Sequence, residues 1–298
     1  MSALWMVLVA FFGASLGSFA NVVAYRVPLG RSVVRPASSC PACGAKVPWW
    51  GNVPVLGWAF VRARCTSCAA PISARYPLVE LAMGLLAVAL WLWLAGGPEL
   101  VPGARLARVL VPFVLLLVFV GGLVALTLID LDWFLLPDVI TLPLTGLGLL
   151  AALAVAPQPG PALATHPTML AAALGAALGA LVPWVVMRLY GAMTGREGLG
   201  GGDWKLLMAI GAWLGVGALP FVVFAGSLQG LAAALIFRRD FARASLPPLP
   251  GEAPTESAAA PAEAVSFRRL AVPFGPFLAL AAVEWLFFRA DLARWWGR

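Results

Sequence analysis

Long apolar runs alternate with short polar segments along most of the chain. An apolar run of about 20 residues is long enough to cross a hydrocarbon core roughly 30 Å thick as an α-helix. The sixth run is short and is interrupted by glycines, so its limits are the hardest to place. The pattern predicts an all-α fold, a polytopic transmembrane helical bundle of about eight spans, at residues 3–24, 77–95, 108–129, 139–156, 168–187, 204–218, 220–237 and 270–288.

The first apolar run has two interpretations, a secretory signal peptide or a membrane span. A signal peptide begins with a basic segment and ends at a cleavage site with small residues. This run lacks the basic segment and continues directly into Asn21 and the pair Tyr25-Arg26. We therefore expect a span.

Two longer polar segments interrupt the apolar pattern. Residues 26–76 contain all four cysteines, and residues 240–267 are rich in Pro, Ala and Glu with little to bury. A segment of the second kind is typical of a flexible linker. The predicted division is a first span (1–25), a cytoplasmic cysteine loop (26–76), a transmembrane core (77–237), a flexible linker (238–269), and a last span with its tail (270–298).

The composition agrees with a membrane protein. Hydrophobic residues make up 62% of the chain and charged residues 11%, and the mean hydropathy is +0.93. Soluble domains contain about 25% charged residues, so a water-soluble enzyme is excluded. Because 15 of the 20 basic residues lie in 26–76, 188–205 and 238–269, these segments are predicted to be cytoplasmic and both termini external. The net charge of +7 is thus explained by basic residues in cytoplasmic segments beside the membrane lipids, and no nucleic-acid partner is expected.

The four cysteines form two CxxC pairs separated by 21 residues, Cys40 with Cys43 and Cys65 with Cys68. Two such turns can direct four thiolates at one tetrahedral Zn²⁺, or at another thiophilic metal. The alternative is two disulfides or unpaired thiols, and a reducing cytoplasm disfavours disulfides. Four protein ligands leave no open coordination position, so we expect a structural metal in a small zinc-ribbon-like loop.

Several catalytic classes are excluded because the chain has a single histidine, His166. It is predicted to be a solvated loop residue. A Ser-His-Asp triad, a Cys-His pair or an HExxH metal site would need a histidine placed beside its partners. No GxGxxG follows a predicted strand, so a dinucleotide site is also unsupported.

Acidic residues at the ends of spans are the remaining chemical signal. Asp130 ends the third predicted span and Asp203 begins the sixth, which places both at the cytoplasmic membrane boundary. Two carboxylates at one depth can share a proton, so that one activates a water and the other protonates a peptide carbonyl. Glycines at 198, 200, 201 and 202 would let another backbone approach Asp203 closely. The alternative is that Asp203 and Asp138 are helix N-caps.

Further motifs accompany these aspartates along nearly the whole chain: GSFANVVAYR at 17–26, the CxxC pairs, SARYPLVE at 73–80, the segment 130–138, GLGGGDWK at 198–205 and PFGP at 273–276. Together they resemble the bacterial type IV prepilin peptidase family, bifunctional leader peptidases and N-methyltransferases of the GxGD aspartyl type. The linker at 240–267 is longer than the corresponding turn that the resemblance implies.

The resemblance implies a multi-pass enzyme of the bacterial inner membrane that acts on type IV prepilins or type II secretion pseudopilins. It would remove a short basic leader at the cytoplasmic face and then methylate the new N-terminus with S-adenosylmethionine. Asp130 and Asp203 would be the catalytic pair. Asp132 and Asp138 belong to the same segment but not to the pair, and Asp138 is expected to act as a cap or local acceptor. With Glu197, these two residues could also form an acidic mouth for basic leaders.

The methyl-donor site has no recognisable fingerprint in the sequence. The best candidate region combines the cysteine loop with Asn21, Arg26 and Glu80. Glu80 lies near the start of the second span, where it could alternatively be a charge that complements the helix dipole. Lys205 could have a role near Asp203 or could anchor the helix at the membrane interface.

Three rival classes remain from the residues alone. One is another GxGD intramembrane protease without methyltransferase activity. A second is a transporter in which the aspartates relay protons, although such groups are expected near mid-bilayer. A third is a zinc-ribbon membrane scaffold without catalysis.

Overall fold

The computed structural model of the protein describes residues 3–95, 105–154, 167–195, 200–237 and 272–295. His166, Glu197 and the predicted linker 240–267 lie outside these ranges. Within them the chain forms α-helices and short turns without a β-strand, which confirms the all-α prediction. The α-helices of these described ranges are α1 (Ala3–Arg26), α2 (Leu56–Phe60), α3 (Arg75–Ala95), α4 (Arg105–Trp133), α5 (Asp138–Ala154), α6 (Met169–Thr194), α7 (Asp203–Leu214), α8 (Leu219–Ile236) and α9 (Gly275–Trp295).

Each predicted span overlaps one of these helices. Five helical stretches of the described chain are long and apolar enough to cross a membrane: Ala3–Arg26, Arg75–Ala95, Val109–Trp133, Met169–Thr194 and Val216–Ile236. The fourth predicted span is a shorter apolar helix, α5, and the last, α9, includes Glu284, Arg289 and Asp291. The protein is therefore a helical membrane protein, and the number of eight spans stays a prediction.

The sixth span differs from its predicted limits of 204–218. Helix α7 ends at Leu214, twelve residues after it begins. Gly215 has a φ of +80°, and a separate 3₁₀ turn follows at Val216–Ala218. A left-handed glycine ends an α-helix because its backbone leaves the helical path. This run is thus a short helix and a turn.

The chain divides into two compact units, Met1–Ala125 and Leu126–Arg298. In the first unit α1 packs along α3, and a ring contact joins Trp91 of α3 to Phe113 of α4, with centroids 5.2 Å apart. The cysteine loop connects α1 to α3. From Val27 to Ala74 Gly57 alone is buried, so this loop has almost no hydrophobic core.

The second unit is built around α7, which packs against α5, α6 and α9. Helices α6 and α7 touch backbone to backbone: a Cβ on Gly211 would lie 2.1 Å from the carbonyl oxygen of Gly175. Small residues permit such close packing of membrane helices. On the other side, the Nε1 of Trp213 donates to the carbonyl of Leu144 in α5 at 2.7 Å. These contacts hold the C-terminal end of α7, the helix that begins at Asp203.

Candidate active site and metal centre

Asp130 lies in the last turn of α4. The helix ends because Phe134 has a φ of +51° and its N–H closes on the carbonyl of Asp130 at 3.0 Å. The side chain of Asp130 is 5% exposed, and its Oδ2 accepts a hydrogen bond of 2.9 Å from the backbone N–H of Gly275. A residue at the start of α9 therefore orients this carboxylate.

Asp203 is the first residue of α7 and is also 5% exposed. Gly202 occupies the N-cap position, and the carboxylate of Asp203 reaches back to accept from the N–H of Gly200 at 3.0 Å. The alternative that Asp203 is the N-cap of this helix is therefore wrong. The glycines before it instead supply a backbone donor that holds the carboxylate.

Both aspartates line one cavity of about 620 Å³. Its other lining residues are glycines and mostly apolar side chains: Phe134, Leu136, Gly200, Gly201, Gly202, Ser227, Gly230, Leu231, Ala234, Val272, Pro273 and Phe274. Two neighbouring carboxylates oppose each other's ionisation, which favours a state with one proton between them. Such a pair can supply a base and an acid in the same reaction.

Leu136 is a positioning residue that the sequence pattern did not indicate. It is 6% exposed and lies between the two backbone segments that hold the aspartates. A Cβ on Gly202 would approach the Cβ of Leu136 to 2.7 Å, and a Cβ on Gly275 would approach its Cδ2 to 3.3 Å. The only signal in the sequence was its position between Asp130 and Asp138.

Gly275→Ala is expected to slow peptide cleavage by about 10-fold to 100-fold, since small displacements of a reacting group have effects of this size. The new Cβ would lie 2.7 Å from the Oδ2 of Asp130, and the carboxylate would have to move. The measurement is the initial rate of leader cleavage. Gly146→Ala in α5 is the matched control because its Cβ would meet nothing within 4 Å. Equal rates for the two variants would contradict a positioning role for Gly275.

Asp138 begins α5, and its Oδ1 pairs with the Nζ of Lys205 in α7. The two side chains are 55% and 21% exposed, so the pair adds at most about 1 kcal/mol of stability. It links the helix after Asp130 to the helix that begins at Asp203. Asp132 is exposed and Glu197 lies outside the described residues, so the acidic mouth stays a prediction.

The four cysteines form a compact cluster with all Sγ atoms within 4.8 Å of one another. The Sγ atoms of Cys40 and Cys68 are 3.8 Å apart, and those of Cys43 and Cys65 are 3.9 Å apart. A tetrahedron with Zn–S bonds of about 2.3 Å has S···S edges of about 3.8 Å, whereas a disulfide bond is about 2.05 Å long. The cluster therefore has the geometry of a four-thiolate metal site and not that of two disulfides.

The thiol of Cys65 has surroundings that favour metal binding. Hydrogen bonds from the backbone of Cys68 and Ser67 lower its pKa to about 6. The pKa of Cys43 in the same cluster is raised to about 11, so the surroundings favour the metal-binding thiolate form at Cys65 and not at Cys43. The arrangement of the four Sγ atoms, and not their acidity, is therefore the observation that supports a metal site.

The candidate methyl-donor residues lie at the facing ends of α1 and α3. Asn21 is 7% exposed and donates to the carbonyl of Tyr76 at 3.3 Å, while Arg26 donates to the carbonyl of Ser32 at 3.0 Å. Glu80 is 8% exposed, and its Oε2 accepts from the N–H of Val55 at 2.7 Å. Glu80 therefore has a specific partner in the cysteine loop.

Comparison with known proteins matches two family models. Residues 11–94 match the bacterial peptidase A24 N-terminal domain, and residues 115–235 match the type IV leader peptidase family. No solved structure matches the chain.

Relatives named prepilin leader peptidase/N-methyltransferase cover most of the chain. The protein from Aeromonas hydrophila is 35% identical over 98% of this chain and 94% of its own length. The one from Myxococcus xanthus is 35% identical over 98% and 92%, and that from Neisseria gonorrhoeae is 35% identical over 78% and 82%. A likeness of this extent, which agrees with the motifs and the paired aspartates, shows that the chain belongs to the type IV leader peptidase family.

Proposed function

We propose that this enzyme is a membrane-embedded aspartyl endopeptidase in which Asp130 and Asp203 carry out the cleavage. Its substrates are type IV prepilins or type II secretion pseudopilins, from which it removes a short basic leader. It then methylates the new N-terminal amine with S-adenosylmethionine. The observation that carries the peptidase proposal is that two buried carboxylates line the same cavity. A different backbone N–H orients each carboxylate.

The peptidase reaction uses one proton shared by the two aspartates. The ionised carboxylate takes a proton from water as the water oxygen attacks the scissile carbonyl, and the protonated carboxyl gives its proton to the carbonyl oxygen. The tetrahedral intermediate then collapses: the carboxyl that took the proton from water gives it to the leaving amine as the C–N bond breaks, and the proton on the former carbonyl oxygen returns to the other carboxylate. Because each carboxylate already accepts one backbone N–H, its second oxygen is available to water or substrate.

The place of cleavage follows from where the aspartates lie in their helices. Asp130 is at the end of a membrane-length helix and Asp203 at the start of α7. A leader that precedes a hydrophobic helix has its scissile bond near the headgroups. The charge distribution supports a cytoplasmic position for this boundary, and the likeness to bacterial leader peptidases supports insertion in the inner membrane. A transporter with a proton relay is less consistent with aspartates at helix ends.

The four cysteines are proposed to hold a structural Zn²⁺. With four thiolate ligands the ion has no open position for a water or substrate. Its contribution is to fold the loop between α1 and α3.

Methyl transfer is proposed to take place beside the cysteine loop. Bound S-adenosylmethionine supplies the methyl group. The guanidinium of Arg26 suits the carboxylate of the donor, and the buried amide of Asn21 and carboxylate of Glu80 lie on the adjoining helices. Transfer needs a neutral amine in line with the departing sulfur, so the loop must hold both reactants in one orientation.

Purified protein incubated with a prepilin-like peptide in lipid or detergent tests the function. Mass spectrometry is expected to show loss of the leader and then, with the methyl donor present, the added mass of one methyl group on the new N-terminus. Cleavage without methylation would leave only the peptidase half of the proposal. A transporter or scaffold would leave the peptide intact.

A further inference from the structure

Val55 has an unusual backbone conformation in the loop between α1 and α3. Its φ is 64° and its ψ −54°, and the N–H of Leu56 bonds to the carbonyl of Pro54 at 2.6 Å. These values describe a γ-turn with positive φ, the rarer and more strained of the two γ-turn types. A β-branched residue disfavours positive φ, so surrounding contacts must stabilise the turn.

Glu80 of α3 supplies the side-chain contact that holds this turn. Its Oε2 accepts from the N–H of Val55 at 2.7 Å, and the side chain is 8% exposed. It is the single acidic residue in the described part of Met1–Ala125, where the cysteine loop alone contains seven basic residues. The carboxylate is nevertheless bonded to a backbone amide. That this carboxylate accepts from the N–H of Val55, among so many basic residues, indicates a role in fixing the turn.

The γ-turn at Val55 also fixes the conformation of residues 49–57, a segment that we name the tryptophan loop. It begins with a 3₁₀ turn at Trp49–Asn52, and Gly57 packs on that turn so closely that a Cβ would lie 2.3 Å from the carbonyl oxygen of Gly51. The loop leaves the side chain of Trp49 82% exposed and that of Trp50 37% exposed. An indole that is this exposed presents a flat surface suited to stacking with an aromatic ring or a cation.

We propose that Glu80 is a positioning residue for methyl transfer, and that it acts by holding the tryptophan loop as one wall of the methyl-donor site. The inference rests on the proposed methyltransferase activity. The adenine ring and sulfonium of the donor are the chemical groups that suit the exposed indole of Trp49. Glu80 acts as a hydrogen-bond acceptor for Val55 and takes no proton in the reaction.

A comparison of Glu80→Gln with Glu80→Ala tests this role. Glutamine keeps a carbonyl oxygen that can accept from Val55, so its donor Kd is expected to stay within about 3-fold of wild type. Alanine removes the acceptor, and the Kd is expected to rise about 10-fold or more. Equilibrium dialysis with labelled donor gives the Kd, and hydrogen exchange of residues 49–57 reports the order of the loop. Leader cleavage, which uses Asp130 and Asp203, is expected to be unchanged in both variants.

A glycine at position 55 offers a rescue of the alanine variant. Glycine adopts positive φ without strain, so Val55→Gly added to Glu80→Ala is expected to restore much of the donor affinity. Val53→Gly is the matched control, because Val53 has a φ of −68° and gains nothing from the change. Rescue by Val53→Gly, or its absence with Val55→Gly, would contradict the strained-turn explanation.

Other outcomes would also overturn the inference. If Glu80→Gln is as defective as Glu80→Ala, the carboxylate itself takes part in the chemistry. If Glu80→Ala binds donor normally, or loses cleavage together with methylation, Glu80 does not position the loop for methyl transfer. Failure of the proposed function is recognised separately, because wild-type protein would then neither bind nor use the donor.

Discussion

Substitution of either Asp130 or Asp203 by asparagine is expected to reduce leader cleavage by about a thousand-fold or more, within the range of general acid–base catalysis. Each variant keeps the shape of the side chain but loses the group that exchanges a proton. Both residues are 5% exposed and line the same cavity. Methylation of a peptide supplied without its leader is expected to continue in both variants, because the candidate donor residues belong to Met1–Ala125.

The cleavage measurement uses initial rates with one prepilin-like peptide for wild type and all variants. Asp291→Asn in the last turns of α9 is the matched control, an exposed aspartate distant in sequence from both members of the pair, and its rate is expected to equal that of wild type. A normal rate for Asp130→Asn or Asp203→Asn would show that the pair does not catalyse cleavage. Loss of methylation as well would indicate a folding defect.

Loss of the metal is expected to unfold the cysteine loop and to abolish methyl transfer while cleavage continues. Gly57 is the single buried residue from Val27 to Ala74, so apolar burial contributes little to the stability of this loop. Binding of Zn²⁺ by four thiolates contributes about 10–16 kcal/mol in small zinc domains, and that free energy is largely the folding free energy. The double variant Cys40→Ser/Cys43→Ser removes two of the four ligands.

Three measurements follow the loss of metal: zinc per chain by atomic absorption, protease sensitivity of residues 27–74, and the two activities. Zinc is expected to fall from one ion per chain to none, and the loop to become sensitive to protease. Ser67→Ala, between Cys65 and Cys68, is the matched control because the backbone N–H of Ser67, not its hydroxyl, contacts the Sγ of Cys65. Full zinc occupancy in the double variant would refute the four-cysteine site.

Apolar run length predicted the helices well because it is a local property. All eight predicted spans correspond to helices, and the long ones agree in position with the apolar runs. The predicted end of the sixth span was wrong, because the helix stops where Gly215 adopts a left-handed conformation. A glycine inside an apolar run can either continue a helix or end it, and packing against the neighbouring helices decides which.

The chemistry was only partly readable from the residues. The positions of Asp130 and Asp203 at the ends of apolar runs indicated a pair, and the CxxC spacing indicated one metal cluster. The residues alone left open the N-cap alternative for Asp203, since an aspartate before a helix is typical of a cap. The structure decides against it because Gly202 holds that position. The ion pair of Asp138 with Lys205 was also not anticipated.

The sequence by itself determined which segments are apolar helices, where the scarce carboxylates and thiols lie along them, and the family resemblance. These properties depend on residues that are close together in the sequence, so they can be recognised before the fold is known. The tertiary structure alone decided that Gly275 donates to Asp130 across 145 positions, that Leu136 lies between the two segments that hold the aspartates, and that Glu80 holds a strained turn at Val55. Such contacts depend on how helices distant in sequence pack, and in an apolar chain many packings satisfy the same hydrophobic pattern.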